Sequence, residues 1–299
     1  MGEPNLKYSQ DQVLKSLEEL PTLPTVVYEL TKIINDPMSS TNEVEEVMQN
    51  DMSLTTRVLK LANSAYYAIP GGVSSLSRAI AYIGFDTVNQ LVLSASIIDA
   101  LELKSPTEFD INSFWKHAIG VGIAAETIAK EISHPSPPDL FTAGLVHDMG
   151  KVALCVFDPA ASAEIAKFAK ANDMTFFDAE TKFSLPKHTE IGQALAERWQ
   201  LPSHMGAVIR WHHQKDSALR SNLSNEFNQN VDIVFIANLV VHALKYGNSG
   251  HDKINGAPTE LMGRLGLNGK EDFVKMAKKI KSALEKAEEF ISTLLGNNQ

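Results

Sequence analysis

The run LFTAGLVHDMGKVALCVF, residues 140–157, sets His147, Asp148 and Lys151 among apolar residues. His147 and Asp148 sit inside a helical segment, between Leu145-Val146 and the apolar residues that begin at Val152. Lys151 follows Asp148 by three and His147 by four, so it projects to the same side of a helix. Charged groups in apolar surroundings are costly unless paired or bound. Asp139 starts this helix, and the segment SHPSPPD before it is a loop that no helix can cross.

Helical spacing continues in both directions, with no convincing period-2 strand. Downstream, His188 opens a helix to about Trp199, and Leu201-Pro202 ends it. Ser203 caps a short helix that reaches Trp211, and DSALRSNLSNEFNQN, residues 216–230, reads as a polar loop. A final helix starts near Asn268, with Phe273, Ala277, Ile280, Leu284, Ala287, Ile291 and Leu294 alternating by four and three. Three heptads are near the minimum for a free coiled coil, so docking on the protein's own core is the favoured reading.

Upstream, Asn112 caps a helix to about Ile132, with Phe114, His117 and Val121 on one face. Before it, Pro106 and the polar residues of LKSPTEFDIN mark a seam near residues 104–111. The front half reads as five or six short helices. Leu14, Leu17 and Leu20 form one stripe before Pro21 and Pro24; Val26, Val27, Leu30, Ile33 and Ile34 form the next, ended by Asp36-Pro37. Ser40 with Glu43 is a capping-box pattern, and Asp51 caps the helix carrying Leu54, Val58, Leu59 and Leu61. Gly71-Gly72 is a turn, Ser75 opens a helix that Gly84 stops, and Asp86 caps the next.

These readings predict an all-α chain in two parts: a flexible N-terminus over 1–12, a helical subdomain over 13–105, and a helical bundle over 106–299 that includes the C-terminal helix. Of the 299 residues, 44% are hydrophobic and 21% charged, enough apolar content for a large core without staples. Cys155, the single cysteine, excludes an intramolecular disulfide and thiolate-rich metal sites, and its apolar neighbours favour a small buried hydrophobe over a reactive thiol. The 27 basic and 36 acidic residues leave a net charge of −9, so little is gained from phosphate backbones and no nucleic-acid partner is expected. Lys275, Lys278, Lys279 and Lys281 are followed by Glu285, Glu288 and Glu289, the mark of a solvated helix face. MGEPNLKYSQDQ at the N-terminus has no apolar signal core, and VDIVFIANLVVHAL, residues 231–244, is too short to span a bilayer. A cytoplasmic location without a membrane anchor is expected.

Several of the nine histidines fall where apolar residues belong. One histidine on an apolar face is most often a hydrogen-bonded core residue. His117, His147, His188, His212 and His213, with Asp148, come from four helices, which is how metal sites are built inside helix bundles. Imidazoles suit Zn, Fe, Ni and Cu, and the carboxylate widens the choice toward Mn. An Asp beside a His can bridge two ions and lower the pKa of a water between them, and Lys151 can then pair with a bound phosphate. One or two transition-metal ions, among Fe, Mn, Zn or Ni, are therefore expected.

The order His117, then His147-Asp148 with a following Gly-Lys, then His188, then His212-His213 resembles the HD superfamily of metal-dependent phosphohydrolases. HDMGK preceded by AGLV is the specific part, and HTEIGQALAERWQLP adds to it. The likeness is closest to the HD-GYP branch, whose members hydrolyse cyclic di-GMP. LPTLPTVVYELTKIINDP, DMSLTTRVLKLANSAYY and AIAYIGFDTVNQLVLSASI in the front half resemble the related HDOD proteins. The resemblance spans roughly residues 13–245. It implies an N-terminal helical subdomain packed on an HD-type bundle and a regulatory role in bacteria, commonly without the catalytic residues of the HD relatives.

Two departures stand out. The HD pattern ends on an aspartate ligand, where this chain has Asn238 in VFIANLVVH, and no GYP motif follows His212-His213. Two functions compete. One is a signalling module that binds a protein partner or small phosphorylated ligand, with the metal site as a structural or sensing element. The other is a metal-dependent phosphohydrolase acting on a cyclic dinucleotide or other phosphoester, with Asp148 and Lys151 catalytic. The front-half signature favours the first reading, the ligand set with Lys151 the second.

Overall fold

The computed structural model describes residues 12, 15–35, 40–102, 109–183, 185–220 and 222–296, side chains 34 and 35 excepted; no strand occurs among them. The expected N-terminal segment up to residue 11, Leu14, the break at Asp36-Pro37 and the seam at Pro106 lie outside the described residues. The chain divides into two compact units, residues 21–102 with 282–299, and residues 1–20 with 103–281. The C-terminal segment, expected in the back half, groups with the front one.

The front unit is built from short, individually capped helices: α1 (Thr25–Asn35), α2 (Thr41–Met48), α3 (Met52–Ala62), α4 (Leu76–Ile83) and α5 (Phe85–Ala100). Ser40 and Glu43 satisfy each other's backbone N–H groups, and Asp51 accepts from Leu54 N at 2.9 Å, so two adjacent helix starts are closed by side chains. Gly84 has φ of 86° and serves as the C-cap of α4 and the N-cap of α5. That leaves Asp86 in the first turn rather than at the cap, where its charge still suits the helix dipole. Helix α5 is buried from Val88 to Ile98 except at Asn89, and forms the centre of this unit.

The C-terminal helix α16 (Glu288–Leu294) packs on α3 in this unit. Arg57 on α3 holds Asp99 at 2.6 Å and donates its other guanidinium nitrogen to the carbonyl of Leu294, and Phe290 lies against Tyr66 and Tyr67. Ile280, Leu284, Ala287, Ile291 and Leu294 of the expected seam are buried, so it docks within the protein. The seam is two helices and not one, because α15 (Lys270–Lys286) ends before Ala287.

The back unit contains α6 (Ile111–Glu131), α7 (Pro137–Val146), α8 (Met149–Phe157), α9 (Pro159–Ala171), α10 (Phe176–Glu180), α11 (His188–Arg198), α12 (Ser203–Trp211), α13 (Asn225–Ala243) and α14 (Thr259–Arg264), with most of α15. Asp110 caps α6 by accepting from Ser113 N, in place of the expected Asn112. Helix α7 begins at Pro137, two residues before the expected Asp139; a proline costs nothing in the first turn, where its missing N–H has no partner to lose. Ser203 is the first residue of α12 and makes no side-chain cap. The expected loop over 216–230 is shorter: Ser224 accepts from Phe227 N, and α13 is already helical at Asn225.

Close backbone approach fixes the layers of this unit. A Cβ on Gly144 would lie 2.8 Å from Gly122 Cα, so α6 and α7 meet through two glycines. A Cβ on Gly150 would lie 1.9 Å from the His188 carbonyl oxygen, which brings α8 onto the start of α11. Residues 137–157 are long and apolar enough to cross a membrane by length and composition alone, but most of this stretch is buried as core. Arg198 on α11 donates to the carbonyls of Leu17 and Leu20, tying the described N-terminal residues to this unit.

Candidate metal centre

His147 and Asp148 stand at the junction of α7 and α8, not inside one helix as their apolar flanks suggest. Asp148 has φ of −105° and ψ of 10°, off the helical values, and the apolar pattern simply continues on both sides of that break. His117, His147, Asp148, Lys151, His188 and His212 are all buried, and His213 is half-buried.

Two groups converge. Asp148, His188, His212 and His213 each offer an atom within 4.8 Å of the others; His117, His147 and Asp148 form a second group by the same measure. Asp148 belongs to both. Its Oδ1 lies 3.1 Å from His188 Nε2 and 3.3 Å from His212 Nε2, and its Oδ2 lies 3.3 Å from His147 Nε2. His188 Nε2 is 3.2 Å from His213 Nε2 and 3.5 Å from His212 Nε2. His134 and His204 stand in neither group.

The far side of each ring explains why these nitrogens face inward. His147 Nδ1 donates to Gly144 O at 2.7 Å, and His212 Nδ1 donates to Ile209 O at 3.0 Å. His188 Nδ1 donates to Glu180 Oε2 at 2.8 Å. A proton held on Nδ1 leaves Nε2 with its lone pair, the tautomer a metal ligand needs. His213 is held by Phe177, which stacks on it with ring centroids 4.4 Å apart. Asp148 Oδ1 and His147 Nε2 have no hydrogen-bond donor among the described residues. Nitrogen lone pairs this close to each other and to a carboxylate repel unless a cation or proton lies between them. The donor set therefore fits a transition-metal ion, held by three imidazoles and a carboxylate.

The electrostatics agree. Burial by itself raises Asp148, but the Lys151 ammonium and His147 outweigh it and hold the carboxyl well below its usual range. Burial lowers His212 to about 4 and pushes His117 and His213 well below the ordinary imidazole range, so these rings are neutral ligands at physiological pH. His188 moves the other way: burial lowers it, but Glu180 and Asp148 prevail and raise it.

Asn238 faces this centre, and its Oδ1 accepts from His117 Nε2 at 3.0 Å. Asp232, six residues earlier on the same helix, does not reach the centre. It is buried between Arg220 at 2.7 Å and Arg264 at 2.6 Å. Lys151 is on the expected side, with Nζ 2.6 Å from Asp148 Oδ2, and it also donates to Ser249 O at 3.1 Å. Its ammonium is thus directed at protein acceptors. Three residues of the site have no spacing signal in the sequence: Glu180, Ser249 and His251. His242 does have one, four residues after Asn238 on the same helix. Its ring lies 4.4 Å from those of both His117 and His251. A cavity of about 60 Å³ opens here, among His212, His213, Asn238, His242, His251 and Lys253.

Residues 20–215 match the model of the HDOD domain family. The chain belongs to that family. A solved HDOD domain protein of unknown function from Geobacter sulfurreducens superposes with a TM-score of 0.76 at 26% identity, covering 95% of this chain and 98% of that one. A Shewanella amazonensis SB2B protein, provisionally described as a phosphohydrolase, shares the fold with a TM-score of 0.72 at 24% identity, over 94% and 97% of the two chains. An uncharacterized Treponema pallidum (strain Nichols) protein is 24% identical over 270 residues, 90% of this chain. This HDOD chain spans about half the length of that relative.

Proposed function

We propose that this HDOD protein is a cytoplasmic signal-transduction module of bacterial type whose histidine–aspartate centre binds a transition metal, and that the module acts by binding a protein partner or small ligand. One observation carries the metal: three imidazole Nε2 atoms and Asp148 Oδ1 meet in one buried spot. Those ligands come from α11, from the end of α12 and from the α7–α8 junction, so an ion there joins separate helices and stabilises the bundle by mass action. Nucleic acid is an unsuitable partner for a chain of net charge −9.

Phosphoester hydrolysis is the second reading, and the sharing of Asp148 by both ligand groups favours it, since two-ion hydrolysis uses a bridging carboxylate. The signalling reading ranks first because Lys151 is committed to Asp148 and Ser249, and because Asn238 brings no charge. Elemental analysis of protein purified without a nickel column tests the metal. At least one equivalent per chain is expected, and His188→Ala lowers both metal content and melting temperature. Metal well below one equivalent, not restored by reconstitution, overturns the reading.

A further inference from the structure

The two halves of the centre are not equal, and the difference lies in what already touches Asp148. Its Oδ1 has no donor among the described residues and faces His188 and His212. Its Oδ2 carries the Lys151 ammonium at 2.6 Å.

That ammonium is fully engaged. Its remaining contacts are Ser249 O at 3.1 Å and Ser249 Oγ at 3.4 Å, so three N–H groups meet three acceptors. Ser249 is itself buried, and its hydroxyl bonds His242 Nε2 at 3.3 Å, which leaves the oxygen lone pairs turned to the lysine. The Phe176 ring lies 4.9 Å from Nζ and closes another side. Lys151 is 1% exposed, so turning away to solvent would require opening the core.

The second ligand group, His117, His147 and Asp148, has to use the carboxylate beside this cation. Its neighbouring amide, Asn238, supplies no negative charge and occupies His117 Nε2 as an acceptor. An ion there would meet a fixed positive charge across one carboxylate oxygen, in a site where little water screens it. The first group meets neither obstacle.

We propose that the centre holds one tight ion, on Asp148 Oδ1 with His188, His212 and His213, and that the Lys151 ammonium takes the place of a second ion on Asp148 Oδ2. This rests on the metal-binding reading above and adds to it the number and position of ions. His147 Nε2, left without a partner, is the ligand a second ion would find once the lysine charge is gone.

The test is a Zn²⁺ titration of the chelator-stripped full chain, with the bound metal counted by elemental analysis after desalting. For the parent protein we expect one equivalent, and a second ion at least about 100-fold weaker, as like charges at a desolvated site require. Lys151→Gln keeps N–H donors for Asp148 and Ser249 but removes the charge, and Lys151→Met removes both; circular dichroism selects whichever folds. Either is expected to take up a second equivalent within about tenfold of the first. Two tight ions in the parent, or a folded neutral variant that still stops at one, overturns the proposal. No ion in any of the proteins overturns the metal-binding reading itself.

Discussion

Glu180 accepts two hydrogen bonds from His188, one from its backbone N and one from Nδ1, each at 2.8 Å. Glu180 is buried and closes α10, eight residues before the imidazole it holds. The carboxylate sets the ring's angle and its proton, and makes Nε2 a stronger ligand. Glu180→Gln is expected to lower metal affinity by about 10- to 100-fold, the usual loss when such a partner is removed. Glu180→Asp should recover part of it. Equal zinc affinity in the parent and Glu180→Gln, measured by competition with a chelator, would show that Glu180 only packs.

The pH dependence of metal binding follows from the same ring. Burial lowers His212 to about 4 and holds His213 well below the ordinary imidazole range, whereas Glu180 and Asp148 raise His188 above its ordinary value. In the ion-free protein His188 is thus the imidazole of its group that takes up an extra proton first as pH falls. Protons are bound in the ion-free state and displaced by the ion, so acid favours release. As pH falls below the raised value of His188, log affinity should drop by about one per unit, with the next proton entering only near pH 4. Titrations at several pH values, with proton release measured in two buffers, check this. A slope of two or more between about pH 5 and 7 would contradict it.

The candidate metal ligands are legible because they break a rule. A histidine three residues after Phe114 and four before Val121 stands on a buried face, and HDMGK puts charge into an apolar run. Glu180 offers no such clue, since its spacing from His188 belongs to an irregular turn and not to a helix period. The break at His147-Asp148 was hidden because apolar residues continue across it. The Asn/Ser-rich stretch read as loop because of its composition, yet from Asn225 it is helical and Asn230 is buried in α13, where tertiary contacts outweigh weak helix propensity. The seam of the C-terminal helix showed that it docks, but periodicity carries no address, and the surface it meets in the front unit was not readable.

Asp232 lies between Arg220 and Arg264, and Arg220 is buried completely. Asp232→Ala leaves that guanidinium without its countercharge. Removing one partner of a buried pair costs about 3–5 kcal/mol, most of it from the charge left behind. Arg264 is partly exposed and can be hydrated instead, so Arg264→Ala should cost much less. Both variants should keep the parent's metal stoichiometry when folded. Urea unfolding compares them, and a loss under about 1 kcal/mol for Asp232→Ala would mean that the site relaxes around the orphaned arginine.

Asn238 bears on the last outcome, turnover of cyclic di-GMP. Its Oδ1 accepts from His117 Nε2, so the amide is oriented by the protein and adds no charge to the centre. Charge alone does not decide the matter, because a more positive centre lowers the pKa of a bound water. Occupancy does: a two-ion displacement stops when one ion is missing. Two further features act in the same direction. Lys151 spends its donors on Asp148 and Ser249 and has none for a phosphate. The cavity at the centre is about 60 Å³, far below the roughly 300–1,000 Å³ of clefts that enclose larger ligands. The parent protein is therefore expected to show no multiple turnover of cyclic di-GMP with Mn, Fe or Zn supplied. Asn238→Asp restores the carboxylate without freeing Lys151 or widening the cavity, so it should raise metal retention more than turnover. Assaying both proteins for product and for bound metal separates the two effects, and robust multiple turnover by the parent would put hydrolysis ahead of signalling.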